Sequence, residues 1–283
     1  MVKIIECPRD AMQGLHDFIP TNIKANYINQ LLKVGFDTID FGSFVSPKAI
    51  PQMRDTAEVL AQLDLSTTKS KLLAIIANQR GANDAIQFNE IDYLGFPFSI
   101  SETFQQRNTN SSIIESLKRV EKIQTLCVNN NKKLVVYISM AFGNPYGDLW
   151  NSEIVIDWTK KLADLGVGII ALSDTIGVSN KENISALFGS VIPEFSNIEI
   201  GAHLHTTPDT WVEKVDAAYQ NGCRRFDGAI KGFGGCPMAK DDLTGNMATE
   251  NLIQYFNQNN INTGLSENEF NESLLNTLKV FPN

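Results

Sequence analysis

The feature that most constrains this chain of 283 residues is its alternation of short, β-rich apolar runs with longer stretches of helical periodicity. Strict alternation predicts a parallel sheet, because each helix returns the chain so that the next strand starts in the same direction. The predicted strands cover residues 3–7, 38–41, 71–76, 91–96, 133–139, 168–173, 198–203 and 225–229. The predicted helices lie near 21–34, 51–62, 78–87, 111–130, 151–165, 181–192, 209–221 and 249–258.

Eight strand–helix units favour closure into a (β/α)8 TIM barrel, a fold of about 250 residues. The main alternative is an open, doubly wound sheet. No G-x-G-x-x-G sequence follows the first predicted strand, which disfavours the dinucleotide-binding form of that sheet. We expect one catalytic domain over residues 1–283, with the barrel at about 2–258 and a short C-terminal helical appendage at about 259–283.

Composition excludes several classes of protein. The formal net charge of −8 disfavours nucleic acid as a partner, because phosphate backbones attract basic surfaces. We find no run of 18 apolar residues and no signal-like N-terminal segment, so we expect no membrane span and no export. The four cysteines lie far apart with no C-x-x-C spacing, and we expect reduced thiols in a cytoplasmic protein.

Two of the three histidines, His203 and His205, lie at the end of the seventh predicted strand. Side chains at i and i+2 of a strand point to one face, so both rings can approach one ion. The alternative is a pair of hydrogen-bonded histidines in a loop. Asp10 at the end of the first strand adds a carboxylate, and Asn246 adds an amide oxygen. This donor set predicts one divalent cation, Mg²⁺ or Mn²⁺.

Two further residues, Arg9 and Cys236, have side chains that could stabilise or protonate an enolate. Arg9 places a fixed positive charge beside Asp10, where it can stabilise an enolate oxygen, although a surface ion pair is the alternative. Cys236 follows a glycine-rich loop at the same end of the predicted barrel. We interpret it as a thiol for proton transfer, and the alternative is a small buried filler.

Longer motifs resemble the 3-hydroxy-3-methylglutaryl-CoA lyase family, which belongs to a superfamily of metal-dependent, Claisen-type barrel enzymes. The resemblance covers roughly residues 2–258. The motifs that carry it are Pro8-Arg9-Asp10 with Gln13, the segment from Ser43 to Lys48, Ser101-Glu102 with Asn108, Asp174-Thr175-Ile176-Gly177, Gly234-Gly235-Cys236-Pro237, and Gly245-Asn246 with Glu250.

The resemblance implies roles for particular residues. The implied cation ligands are Asp10, His203, His205 and Asn246. The implied catalytic residues are Arg9, Cys236, Asp40, His203 and Asp174, where Asp40 replaces the glutamate that is usual in the family. The implied contacts to substrate or coenzyme A are Gln13, Ser43, Lys48, Arg107, Asn108 and Glu250. A homodimer and a role in leucine degradation are also implied.

The family reaction is a retro-Claisen cleavage of 3-hydroxy-3-methylglutaryl-CoA to acetoacetate and acetyl-CoA, and the resemblance implies this carbon–carbon lyase activity. One alternative is a related lyase, aldolase or synthase that acts on another 3-hydroxyacyl-CoA or on a 2-oxo acid. A second alternative is a metal-binding barrel without catalytic activity. This second alternative is disfavoured because a scaffold does not need the full set of Arg9, Asp10, His203, His205, Asn246 and Cys236.

Overall fold

The structure, a computed structural model, describes residues 1–235 and 244–281. Eight parallel strands pair in chain order around a closed barrel, and the last pairs with the first, with Arg225 opposite Lys3. The (β/α)8 barrel predicted from the sequence is therefore confirmed. The barrel strands are β1 Lys3–Glu6, β2 Thr38–Ser43, β3 Lys71–Ile75, β4 Tyr93–Ser99, β5 Lys133–Ser139, β6 Ile169–Ser173, β7 Glu199–His203 and β9 Arg225–Gly228.

The helices lie between and after these strands. They are α1 Pro8–Gln13, α2 Thr21–Val34, α3 Thr56–Leu60, α4 Gln79–Ala85, α5 Glu102–Thr109, α6 Ile113–Asn129, α7 Ser152–Asp164, α8 Lys181–Glu194, α9 Trp211–Gln220, α10 Thr249–Gln258 and α11 Glu267–Val280. Short 3₁₀ helices cover Pro51–Met53 and Ile230–Gly232.

Two helices near the barrel mouth were missed in the sequence. The structure has α1 directly after β1, where the pattern indicated a loop, because a helix of six residues is too short to show a helical period. It also has α5 before α6, and α5 is polar along most of its length. The helix predicted over 51–62 is divided into the 3₁₀ helix Pro51–Met53 and α3.

A small antiparallel pair covers part of the mouth where the sequence indicated loops. Its strands are β8 His205–Thr206 and β10 Gly245–Asn246, and their register places Asn246 opposite His205. Residues from two distant parts of the chain thus lie beside one another at the end of β7.

The apolar core has two parts because side chains alternate along each strand. One cluster lies inside the barrel and consists of Leu73, Ile75, Val135, Tyr137, Ile169 and Ala171. The alternate residues of the same strands, such as Leu72 and Ala74, pack in the larger layer between strands and helices. The interior cluster comes from β3, β5 and β6. Elsewhere in the barrel, β9 carries the buried polar residues Arg225 and Asp227, and β7 ends at the half-buried His203.

The C-terminal helix α11 packs against α2 and contributes to the main core. Phe270 lies edge-on to Phe36, and Phe281 lies edge-on to Tyr27. Burying an aromatic side chain of this size stabilises a fold by about 1.5–3 kcal/mol. Across the described ranges, no helix has both the length and the apolar character needed to span a membrane.

Candidate active site

A cavity of about 460 Å³ opens at the carboxyl ends of the barrel strands. This is the end at which (β/α)8 enzymes hold their catalytic residues. Six residues predicted from the sequence line it, namely Arg9, Asp10, Gln13, Asn108, His203 and His205. The structure therefore brings together side chains from β7 and from the segments that follow β1 and β4.

The guanidinium of Arg9 joins two carboxylates at one wall of this cavity. Its Nε donates to Oδ1 and Oδ2 of Asp40 at 3.2 and 3.0 Å, and its Nη2 also donates to Oδ2. Its Nη1 donates to Oδ1 of Asp10 at 2.7 Å. Burial alone would lower the pKa of Arg9, but the charges of Asp40 and Asp10 raise it, so the guanidinium stays charged.

A bulge in β2 lies at Asp40, whose side chain points towards Arg9. The pairing of β2 with β3 shifts register between Asp40 and Gly42, and such a bulge changes the direction of a side chain. Gly42 is required there, because a Cβ would lie 2.5 Å from Cγ2 of Thr56. Burial raises the pKa of Asp40 to about 6, although the charge of Arg9 opposes this effect.

The carboxylate of Asp10 accepts hydrogen bonds from three side chains. Besides Arg9, Gln13 donates from Nε2 to Oδ1 at 2.8 Å, and Asn246 donates from Nδ2 to Oδ2 at 2.7 Å. Burial would raise the pKa of Asp10, but the charges of Arg9 and His203 and the bond from Asn246 lower it to about 2. Asp10 is therefore ionised at neutral pH and available to a cation.

His203 contacts a carboxylate that the sequence analysis did not single out. Its Nδ1 lies 3.1 Å from Oδ2 of Asp227 on β9. Burial would lower the pKa of His203, but the hydrogen bond and charge of Asp227 raise it. With the proton on Nδ1, the lone pair of Nε2 is left for another ligand, as in carboxylate–histidine–metal arrangements.

His205 lies beside His203, with ring centroids 5.5 Å apart. It is 3% exposed, and its Nδ1 has no hydrogen-bond partner among the described residues. Burial lowers the pKa of His205 to about 4, and the neighbouring His203 adds to this effect, so the ring is neutral at pH 7. A buried neutral imidazole without a partner is suited to a metal ion.

Two donor sets in this region have the chemistry to hold a cation. The first is the set predicted from the sequence. An ionised Asp10, a neutral His205 and His203 line one cavity, and Asn246 is hydrogen-bonded to Asp10. The second brings ligand atoms of Cys7, His203 and Asp227 within 4.8 Å of one another. Burial raises the pKa of the Cys7 thiol well above its usual value, and nearby carboxylates raise it further. A protonated thiol is a poor metal ligand, so the first set fits Mg²⁺ or Mn²⁺ better.

Asp174 is placed behind the cavity and is not among its lining residues. It is 1% exposed and accepts from Nζ of Lys214 at 2.9 Å and from the amide of Ser179 at 3.1 Å. Lys214 also donates to the backbone oxygen of His205 at 2.8 Å. Asp174 is thus connected to the histidine segment through a buried lysine.

The other predicted contact residues separate into two groups. Gln13 and Asn108 line the cavity. The remaining four residues do not line it: Ser43 accepts from the amide of Val45, Lys48 is exposed, Arg107 lies over the ring of Tyr146, and Glu250 accepts from the amide of Lys231. Cys236 lies outside the described residues.

The sequence pattern around Asp227 could have indicated a buried functional residue, although Asp227 was not among the predicted site residues. Asp227 lies two residues after Arg225 in the eighth predicted strand, so both side chains share a face. Two charged residues on one face of a central barrel strand are unusual, since charged side chains are rarely buried without a partner. Both are buried in the structure.

Known proteins match this chain along nearly its whole length. A cytoplasmic 3-hydroxy-3-methylglutaryl-CoA lyase of Rattus norvegicus is 34% identical over 265 residues, which is 93% of this chain and 76% of the relative. The crystal structure of the Bacillus subtilis HMG-CoA lyase superposes with a TM-score of 0.92 at 31% identity, covering 98% of this chain and 93% of that one.

A third relative was solved with ligands. The structure of an HMG-CoA lyase from Acinetobacter baumannii in complex with coenzyme A and 3-methylmalate has a TM-score of 0.91 and 29% identity, and covers 99% of this chain and 91% of that chain. The model of the HMGL-like family matches residues 2–274. The family relationship and the carbon–carbon lyase class predicted from the motifs are confirmed, and the chain belongs to the HMGL-like family.

Proposed function

We propose that this chain cleaves 3-hydroxy-3-methylglutaryl-CoA to acetoacetate and acetyl-CoA, with one divalent cation in the site. The relatives that bear this activity in their names support the substrate. The observation that carries the proposal is one cavity shared by the donors Asp10, His203 and His205 and the charge of Arg9. A retro-Claisen cleavage needs both a site for the tertiary hydroxyl and a positive charge for the enolate oxygen.

Asp10, His203, His205 and Asn246 would hold the cation. Bound there, Mg²⁺ or Mn²⁺ would supply Lewis acidity that makes a substrate hydroxyl more acidic. The amide oxygen of Asn246 is the atom it would offer, since Nδ2 already donates to Asp10 and to the backbone oxygen of Phe233. Asp227 orients His203 from behind through Nδ1.

Arg9 acts on the charge that develops when the carbon–carbon bond breaks. The bonding electrons pass to the carbon next to the thioester, and the resulting enolate places negative charge on the thioester oxygen. Arg9 is already oriented by Asp40, so no reorganisation is needed when this charge appears. Cys236 is our candidate for returning a proton to the enolate carbon, on the strength of the family resemblance.

The test is an assay of purified protein with 3-hydroxy-3-methylglutaryl-CoA, in which acetoacetate is detected. Activity should be lost in EDTA and restored by Mg²⁺ or Mn²⁺. His203→Ala should bind the cation weakly, whereas His16→Ala should behave as wild type because the His16 side chain is fully exposed and lies beside Asp17, away from the cavity. Full turnover by a chelated, metal-free sample would refute the cation, and cleavage of only other acyl-CoA or 2-oxo acid substrates would refute the substrate.

The same resemblance supports a homodimer with one catalytic domain per chain, residence in the cytoplasm as in the rat relative, and a role in leucine degradation. Sedimentation equilibrium of the purified protein tests the first of these: a single species of monomer mass would contradict it.

A further inference from the structure

A buried arginine, Arg225 on β9, lies in the interior of the barrel below the candidate cation site. Its side chain is 1% exposed. Gly201 on the neighbouring strand β7 leaves room for it, because a Cβ at Gly201 would lie 3.0 Å from Cδ of Arg225 and 3.2 Å from its Cγ. Both distances are shorter than an ordinary van der Waals contact. A guanidinium at this depth needs partners, since arginine keeps its charge in proteins.

One nitrogen of the Arg225 guanidinium has partners at the amino-terminal end of the barrel. Nη1 donates to Oε1 of Glu199 at 3.2 Å and lies 3.7 Å from Oδ1 of Asp37. Glu199 also accepts from Nζ of Lys3 at 2.6 Å. These contacts anchor Arg225 through Nη1 alone.

The other two nitrogens of the guanidinium are buried without a partner. Nε and Nη2 of Arg225 have no hydrogen bond within residues 1–235 and 244–281. Two further buried atoms of the barrel interior share this condition, namely Oδ1 of Asp227 and the hydroxyl oxygen of Tyr137. Buried polar atoms in native proteins almost always have a partner, so these four atoms need an explanation.

The three side chains that carry these atoms lie near one another. Arg225 and Asp227 are two residues apart on β9, so they share a face of the strand. Tyr137 lies edge-on to His203 with ring centroids 5.7 Å apart, and His203 in turn contacts Asp227. Burial would lower the pKa of Arg225, but the charges of Asp227 and Tyr137 raise it, so the three groups are within electrostatic reach of one another.

The unpartnered atoms have complementary hydrogen-bonding chemistry. Arg225 offers two N–H donors, Asp227 offers an acceptor oxygen, and the hydroxyl of Tyr137 can do either. The described residues contain no direct hydrogen bond between these donors and the acceptor. Internal water commonly makes about three hydrogen bonds to buried polar groups of this kind. Bound water can therefore join Arg225 to Asp227.

We propose that Arg225 is a positioning residue for the candidate cation site, and that it acts through bound water on Asp227. This inference rests on the cation of the proposed function. Hydrogen bonds at both oxygens fix the plane of the Asp227 carboxylate, and the guanidinium compensates its buried charge. Asp227 then presents Oδ2 to Nδ1 of His203, which leaves Nε2 of that ring for the cation.

The first test is a double-mutant cycle on Mn²⁺ affinity, measured by electron paramagnetic resonance. Arg225→Met removes the charge and the donors but keeps a long side chain, and we expect affinity to fall by about tenfold, as for other groups that orient a metal ligand. The affinity of Arg225→Met/Asp227→Asn should equal that of Asp227→Asn alone, because Arg225 acts through Asp227. A merely structural Arg225 would lower the free energy of unfolding in urea and leave Mn²⁺ affinity unchanged.

The matched control for this cycle is Arg224→Met. It removes the same charge at the adjacent position of the chain, but the side chain of Arg224 is exposed and donates to the backbone oxygen of Tyr219 at 2.7 Å. Its Mn²⁺ affinity should be that of the wild type.

Crystal structures of the cation-free wild type and of Arg225→Met separate this proposal from the proposed function, since they require neither cation nor substrate. We expect ordered water that bridges Arg225 and Oδ1 of Asp227 in the wild type, and an Asp227 carboxylate turned away from His203 in the variant. A wild type that binds no Mn²⁺ refutes the cation, and the crystal structures then decide whether Arg225 positions His203. The proposal is overturned if the wild type has no such water, if Asp227 is unmoved or Mn²⁺ affinity unchanged in Arg225→Met, if the two single losses multiply in the double variant, or if Arg224→Met has the same effect.

Discussion

The guanidinium of Arg9 makes two contacts with different chemical consequences, and Asp40 receives the more extensive of them. Nε and Nη2 of Arg9 donate to the Asp40 carboxylate, which is 1% exposed, whereas Nη1 alone reaches Asp10. Asp40 thus fixes the plane of the guanidinium, and Asp10 connects that plane to the donors of the candidate cation site. The register shift between Asp40 and Gly42 in β2 lies directly beside this contact.

Substitutions at Asp40 should therefore impair catalysis through Arg9. Asp40→Asn directs an amide N–H at the guanidinium, and we expect kcat to fall by about 10²–10³-fold with little change in KM, as for a lost oxyanion donor. Asp40→Glu should also be impaired, because an extra methylene overfills the buried site. Steady-state kinetics of both variants and of Arg9→Met on one substrate provide the measurement.

Two outcomes would contradict this account of Arg9 and Asp40. An Asp40→Glu enzyme as active as wild type would show that the site is not adjusted to aspartate. A large rise in KM with normal kcat in Arg9→Met would place Arg9 in binding of the ground state.

Asp227 should determine the affinity of the cation site without binding the ion itself. Asp227→Asn keeps the size of the side chain but removes the charge that orients His203, and changes of this kind lower metal affinity by about 10–100-fold. Mn²⁺ binding followed by electron paramagnetic resonance gives the affinity. Asp209→Asn is the control, since Asp209 is exposed and lies between β8 and α9.

The same titration distinguishes the two donor sets. If Cys7, His203 and Asp227 bound the ion together, Cys7→Ser would weaken Mn²⁺ binding as strongly as Asp227→Asn does. We expect an affinity near that of wild type, because the Cys7 thiol stays protonated. Affinity should also fall as pH is lowered, because His203, whose pKa is raised, must lose a proton before it can bind a cation.

Local sequence patterns could indicate the fold and several of the cation donors, but not which residues pair with them. The barrel and the strand-end positions of Asp10, His203 and His205 follow from local periodicity, which a sequence displays directly. The partners Asp40–Arg9 and His203–Asp227 join residues 31 and 24 positions apart, and they depend on barrel closure and on a bulge. The helix α5 was missed because it is polar, and α1 because it is short.

Asp174 should prove to be a positioning residue whose loss affects stability as well as activity. Its partner Lys214 also holds the backbone oxygen of His205, so both residues maintain the segment that carries the histidine. Lys214→Met leaves a buried carboxylate without its charge partner, and we expect a loss of about 3–5 kcal/mol in the free energy of unfolding. Urea unfolding and Mn²⁺ affinity should decline together in Lys214→Met and in Asp174→Asn.

A chemical role for Asp174 would give a different pattern. Asp174→Asn would then lose kcat while its free energy of unfolding and its cation affinity stayed at wild-type values. In the double variant Lys214→Met/Asp174→Leu, the loss of stability should be smaller than the sum of the single losses, because no buried charge remains unpaired.

The last prediction concerns Glu6, a fully buried acid at the end of β1. Oε1 accepts from the amide of Ile230 at 2.9 Å, and Oε2 contacts the hydroxyl of Thr249 at 2.5 Å, so Glu6 joins β1 to the segments that follow β9. Burial raises the pKa of Glu6 from 4.5 to about 8, despite these hydrogen bonds. The folded protein therefore keeps a proton on Glu6 that the unfolded chain releases at lower pH.

The sign of the stability effect follows from this difference in proton binding. Between about pH 4.5 and pH 8 the folded state binds more protons than the unfolded state, so stability decreases as pH rises, by at most about 1.4 kcal/mol per pH unit. Glu6→Gln is the same size as the protonated acid and does not titrate. Its free energy of unfolding, measured in urea from pH 5 to pH 8, should increase relative to wild type as pH rises. Glu194→Gln, which changes an exposed acid at the end of α8, is the control. If the difference between Glu6→Gln and wild type stays constant across this range, Glu6 is already ionised in the folded protein and its two hydrogen bonds outweigh the cost of burying the charge.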